Sequence, residues 1–209
     1  MLRHNLDVMY IEKNVVDNIT GTLLNLDGKT NDNLKARQDL KDMGIKSELH
    51  LEKVGNVQTR MPYACYHMNA SDKNGFLQVL KDVRVLNGYS SNISRYVKLK
   101  ECKISGMKSH DNHILMQQFF SIAIRGYLPP EVSRHLIELS FFFREICSNV
   151  LNMEELRALE KRIALTLCEL ERIFPSSFFI VMVHLVVHLA SKAKVSGPIH
   201  YHWMYPIER

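Results

Sequence analysis

From residue 111 to 190 the apolar residues return every three or four positions, and each run ends at a glycine, a proline or a capping residue. That is the period of an amphipathic helix, so the second half of the chain is expected to fold as helices that cover one another's apolar stripes. The first run, 111–125, carries Ile114, Leu115, Phe119, Ile122 and Ala123 and stops at Gly126. Pro129 and Pro130 follow, and Pro130 suits the first turn of the next helix. That helix, 131–151, presents Val132, Leu136, Leu139, Phe142, Phe143, Ile146 and Val150. Asn152 is placed to cap a third, with Glu155 three residues on as in a capping box and Leu156, Leu159, Ile163, Leu167, Leu170 and Ile173 as its stripe. Pro175 and Ser176 open a fourth, which contains the most apolar stretch of the chain, 178–190. Four helices on short loops predict an antiparallel bundle over 109–193.

The first half is less regular. Val8, Ile11, Val15, Ile19, Leu23 and Leu24 predict a helix over 7–26, ended near Gly28 in a left-handed conformation. A more polar helix over 31–43 has Leu34 and Leu40 as its contacts and Gly44 as its stop. Residues 52–71, with Gly55, Pro62 and mixed polar residues, are expected to be loop, Ser71 is placed to cap a short helix through Phe76, Leu77 and Leu80, and Asn87-Gly88 marks a turn. Tyr96, Val97, Leu99, Cys102 and Ile104 read as a short strand or extended arm broken by Gly106. The fold class is therefore mainly α. An N-terminal helical piece (1–44) and an irregular connector with short strands (45–105) precede a helical domain (106–209).

With 209 residues, 46% hydrophobic and 23% charged, the chain is neither disordered nor collagen-like nor a disulfide miniprotein. Lys and Arg number 27 against 22 Asp and Glu, a net charge of +5, which permits nucleic-acid contact without requiring it because no dense basic run occurs. The stretch 178–190 is too short for a membrane span, which needs about 20 apolar residues, and is expected to be a buried helix. The N-terminus lacks the apolar region of a signal peptide, so the expected setting is nucleus or cytoplasm, not membrane or secretion. The four cysteines, Cys65, Cys102, Cys147 and Cys168, form no C-x-x-C pair, and Cys147 and Cys168 sit in apolar helical runs as small hydrophobes. No P-loop, dinucleotide fingerprint or nucleophile elbow is present.

Four constellations could carry chemistry. His184 and His188, at i and i+4, share a helix face and can bind a metal or sit as two buried, hydrogen-bonded histidines. Leu185 stands where a zincin would need Glu. His110, Asp111 and His113 open a helix, where they can supply ligands or a general base, or simply cap it. His200, His202, Trp203, Tyr205 and Glu208 could line a nucleotide groove or fold onto the bundle. His4, Asp7 and Glu12 lie near the N-terminus, with Asp7 and Glu12 poorly aligned as a carboxylate pair and suited to the positive end of a helix.

Several strings together resemble a known family. They include Arg3-His-Asn-Leu-Asp-Val-Met-Tyr-Ile-Glu-Lys-Asn-Val, Gly21-Thr-Leu-Leu-Asn, Gly28-Lys-Thr and Asp42-Met-Gly-Ile. Further on come Gly88-Tyr-Ser-Ser-Asn-Ile-Ser-Arg, Gly106-Met-Lys-Ser-His-Asp-Asn-His-Ile-Leu-Met-Gln, Phe174-Pro-Ser-Ser-Phe-Phe, Met182-Val-His-Leu-Val-Val-His-Leu and Trp203-Met-Tyr-Pro-Ile-Glu-Arg. In this order they resemble the plant CACTA (En/Spm-type) transposases: 1–44 is similar to the end of the transposase block, and residues from about 75 onward to the plant domain of unknown function that follows it.

The resemblance implies a DDE-type nuclease with an RNase-H-like core, Mg²⁺ held by carboxylates, zinc as a structural metal, and DNA and other transposase subunits as partners. Glu208 is the first candidate for the family's third acid and Glu12 the second. His184 and His188, with His110 or His113, are the candidate metal ligands. Family members extend upstream through a C-x-x-C pair and at least one catalytic acid, so this chain is expected to be a transposon-derived fragment, catalytically incomplete by itself, serving as a DNA- or protein-interaction module. The alternative is an active DDE-type transposase or nuclease. Tyr10 stands where the family commonly has His, which would break a zinc site shared with His4, and Ile207 where it commonly has Phe. A first helix that normally packs on an upstream sheet would expose Val15, Ile19 and Leu23.

Overall fold

The computed structural model describes residues 6–54, 58–84 and 92–199. His4, Gly55, Asn87-Gly88, His200, His202, Trp203, Tyr205, Ile207 and Glu208 lie outside them.

Caps set the helix starts. Asp7 accepts from the backbone N–H groups of Met9 and Tyr10 (3.0 and 3.2 Å) and opens α1, Val8–Leu23. Asn25 and Gly28, both with positive φ, turn the chain out of it. Helix α2 is Leu34–Asp42, shorter than expected because Asn33, accepting from Ala36 N, is its cap. Its stripe is also narrower: Leu40 is buried, but Leu34 is 53% exposed. Within 52–71, expected to be loop, strands β1 (Glu52–Val54) and β2 (Gln58–Arg60) form an antiparallel pair. Helix α3, Ala70–Asp82, is capped by Asn69 rather than Ser71, through a 2.9 Å bond from Asp72 N. The arm ending at Gly106 is a hairpin of β3 (Val97–Lys98) and β4 (Lys103–Ile104), with Val97 opposite Ile104 and Cys102 in a left-handed turn between them.

The bundle region holds α4 (Ser109–Ile114), a π-helical turn (Leu115–Phe119), α5 (Phe120–Ala123), α6 (Pro130–Ile146), α7 (Met153–Ile173) and α8 (Val181–Ser196). Pro130 occupies the first turn of α6, and Asn152 caps α7 by accepting from Glu154 N. Helix α6 ends before Val150, which is 82% exposed, and Ile122 also faces outward. Helix α7 packs along both α6 and α8, while α1 packs against α4 and α8. The fold is mainly α. One apolar cluster runs from Val8 to Ile199 and takes in residues of the N-terminal piece, the connector and the bundle. Val15, Ile19 and Leu23, expected to be exposed, are completely buried, because α4 and α8 supply the cover.

Helix α8 corrects a second expectation. It opens after a 3-10 turn at Ser176–Phe178 and buries only Val183, Val186, Leu189, Ala190 and Ala193, leaving Val181, His184 and His188 exposed. The stretch reads as wholly apolar because Val181, Leu185 and Val187 continue the run around the helix, yet only one side of it meets α1 and α7. Among the described residues no helix is long and apolar enough to cross a membrane.

A charged cluster ties the 30–68 region together. Asp32 and Arg37, both side chains fully buried, form a bidentate pair: Nε donates to Oδ1 (2.5 Å) and Nη2 to Oδ2 (2.6 Å). Arg37 Nη1 also donates to Leu49 O, and the Tyr66 hydroxyl donates to Asp32 Oδ2 (2.8 Å). His67 Nε2 lies 3.1 Å from the same oxygen. Burial would raise the Asp32 carboxyl, but His67, Arg37 and Tyr66 outweigh it and hold it well below the usual carboxylate range. The Tyr66 ring stacks on Phe174, which stacks on Phe178, joining this cluster to the α7–α8 junction.

Candidate functional site

Polar side chains from three distant parts of the chain meet in the core between α1, the π turn and the end of α6. Glu12 sits four residues after Val8 and four before Val16, on the inward face of α1, and is fully buried. His113 lies on α4 and Gln117 one turn later, where the helix widens to the π form. Such single-turn insertions re-aim side chains and recur at functional sites. Cys147 is the residue that closes α6.

Glu12 Oε2 lies 2.6 Å from His113 Nδ1, a contact across 101 positions of sequence. Gln117 Nε2 lies 3.2 Å from Glu12 Oε1, 3.1 Å from Phe143 O and 3.0 Å from His113 Nδ1. Burial raises the Glu12 carboxyl above its ordinary range, against the opposing effect of His113 and Gln117. Burial also pushes the Cys147 thiol up, and the neighbouring Glu12 adds to this. The potential ligand atoms of Glu12, His113 and Cys147 all lie within 4.8 Å of one another. Oxygen, imidazole nitrogen and sulfur in one small volume suit zinc among the common metals, and the sulfur disfavours Mg²⁺.

The expected site residues are distributed as follows. Glu12 and His113 are brought together. The His110 ring stacks on His113 with centroids 6.4 Å apart, without joining the donor set. The Asp111 carboxylate accepts from Lys108 N and holds the start of α4. His184 and His188 share the exposed face of α8, with rings 5.3 Å apart, rather than being buried. Among the described residues they do not combine with His110 or His113 into a set of three ligands. Glu208 is outside the described residues. Gln117 and Cys147 join the cluster without having been singled out as ligands. Cys147 has the pattern of an ordinary core thiol, and nothing local in the sequence marks the π turn.

Residues 146–209, less than half of the chain, match the model of a domain of unknown function (DUF4218). The match contains α7, α8 and Cys147 but not Glu12, His113 or Gln117. No curated protein and no solved structure matches the chain.

Proposed function

We propose that this chain is a transposon-derived module of the CACTA type that grips nucleic-acid phosphates and does not itself cut DNA. The observation that carries this reading is a local concentration of positive charge. Arg95, Lys98, Lys100, Lys103 and Lys108 fall within a short segment around the β3–β4 hairpin, against Glu101 alone. Arg95, Lys98, Lys100 and Lys108 are exposed. Beside the hairpin, a groove of about 450 Å³ is lined by Lys29, Lys73 and Lys103 together with Asp27 and Glu101. Cations grouped around one hairpin can neutralise adjacent phosphates and release their counterions, which scattered surface charges do not do as effectively. The family strings and the match to a domain commonly found in plant transposase-like proteins support the ancestry.

The candidate acid among the described residues, Glu12, is fully buried and held by His113 and Gln117. Two-metal DNA cleavage needs carboxylates that share two ions about 3.5–4 Å apart at an open surface, and no second carboxylate joins Glu12 among the described residues. Purified protein mixed with labelled duplex DNA and Mg²⁺ or Mn²⁺ tests the reading. Binding without nicking is expected, and the triple variant Arg95→Glu/Lys100→Glu/Lys108→Glu should weaken it by roughly tenfold or more while keeping its helical content. Metal-dependent nicking that disappears in Glu208→Gln or Glu12→Gln would replace this reading with the nuclease.

A further inference from the structure

Side chains from α1, α4, the π turn and the end of α6 meet at Glu12. The 2.6 Å contact between Glu12 Oε2 and His113 Nδ1 needs one proton between the two atoms. The two N–H groups of Gln117 face Glu12 Oε1, Phe143 O and His113 Nδ1. A ring nitrogen that shares the Glu12 proton cannot also accept from Gln117. Carboxylate, imidazole and thiol donor atoms thus converge within 4.8 Å of one another, with the Gln117 amide bridging the carboxylate and the imidazole.

We propose that Glu12, His113 and Cys147 bind one zinc ion through a carboxylate oxygen, Nδ1 and Sγ, with water in the fourth position. The charges balance: a dipositive ion with a carboxylate and a thiolate leaves a neutral site, which a buried position tolerates. The geometry is close. Zinc bonds of about 2.0–2.1 Å to N and O and about 2.3 Å to S place tetrahedral ligands about 3.3–3.6 Å apart. The Glu12–His113 contact opens from 2.6 Å to reach that spacing, and atoms now up to 4.8 Å apart draw in by roughly 1 Å through side-chain rotation. Gln117 keeps its bonds to Glu12 and the Phe143 carbonyl and so orients the ligating carboxylate from outside. Zinc binding releases two protons to solvent, that of the Cys147 thiol and the one shared by Glu12 and His113, and the ligating His113 ring keeps its proton on Nε2. The ion fastens α1 to α4 and α6, linking the N-terminal piece to the bundle. The exposed His184–His188 pair supplies two donors on one helix face and no third among the described residues.

The test uses the full chain stripped of metal with a chelator and titrated with Co²⁺. The expected result is one equivalent bound with a thiolate-to-cobalt charge-transfer absorption, intense d–d bands of a four-coordinate ion, and displacement by Zn²⁺. Cys147→Ser should abolish the charge-transfer band. Cys168→Ser and His184→Ala/His188→Ala should leave it intact. Zinc at one hundred times its Kd should raise the wild-type thermal midpoint by about 5–10 °C over the chelated protein, a measurement that does not depend on any variant folding. A charge-transfer band that survives Cys147→Ser, its loss in the His184/His188 double variant, or no band together with no thermal shift overturns the proposal.

Discussion

Replacing Asp32 with alanine strips Arg37 of its carboxylate and leaves the guanidinium where water does not reach it. Both side chains are fully buried, and the substitution removes two charge-assisted hydrogen bonds of 2.5 and 2.6 Å together with the acceptor of Tyr66. Arg37 keeps its 2.9 Å bond to Leu49 O. Breaking a buried pair in this way costs about 3–5 kcal/mol, a large share of the roughly 5–15 kcal/mol that holds a domain together. The half-exposed Lys98–Glu101 pair, 4.0 Å apart, should by contrast contribute under about 1 kcal/mol. Removing both charges is expected to be milder than removing one. In Asp32→Leu/Arg37→Met no charge is left buried, and the chief loss is the Tyr66 acceptor, about 1–3 kcal/mol. Urea unfolding followed by circular dichroism on the wild type, Asp32→Leu, Arg37→Met and the double variant gives the coupling energy directly, with Asp32→Ala measured alongside. A cost below about 1 kcal/mol for Asp32→Ala, or a double variant as unstable as the sum of the singles, would refute the reasoning.

Two further outcomes follow from the same geometry. A Cβ built on Gly75 in α3 would lie 2.2 Å from the Tyr127 ring, so Gly75→Ala should destabilise the protein by about 1–3 kcal/mol, with partial recovery in Gly75→Ala/Tyr127→Ala, as read by thermal melting. Because Asp32 is held below the usual carboxylate range, its contribution is complete above that range and is lost as pH falls through it, where the unfolded chain takes up the proton first. Asp32→Asn should flatten this acid limb in a stability–pH profile, and an unchanged limb would remove Asp32 as its source.

The helices were legible where a single face does the packing. The stripes of α6 and α7, with Pro130 and Asn152 at their starts, specify those elements because apolar period and capping agree. Ends were less legible where neighbours compete for one role. Asn69 caps α3 although Ser71 has the right chemistry, and Asn33 caps α2 among several suitable residues. Val150 keeps the helical period after Ile146, yet the chain has left the helix, with Ser148 Oγ bonding Val150 O instead. The outward face of α8 could not be read at all, since hydropathy does not say which neighbours arrive. The candidate site combines both cases. Glu12 and His113 were visible as residue types, but their meeting depends on how α1 docks on α4, and Gln117 reaches them through a π turn that leaves no trace in composition.

If the β3–β4 hairpin grips nucleic-acid phosphates, DNA binding must weaken steeply with salt between about 50 and 200 mM. Each neutralised phosphate contributes about −0.9 to the log–log slope, so engagement of most of the five cations at 95–108 predicts a wild-type slope of about −3 to −4.5. The Arg95→Glu/Lys100→Glu/Lys108→Glu variant should lose roughly three phosphates' worth of that slope. A slope near zero, or one that the variant leaves unchanged, would contradict the account.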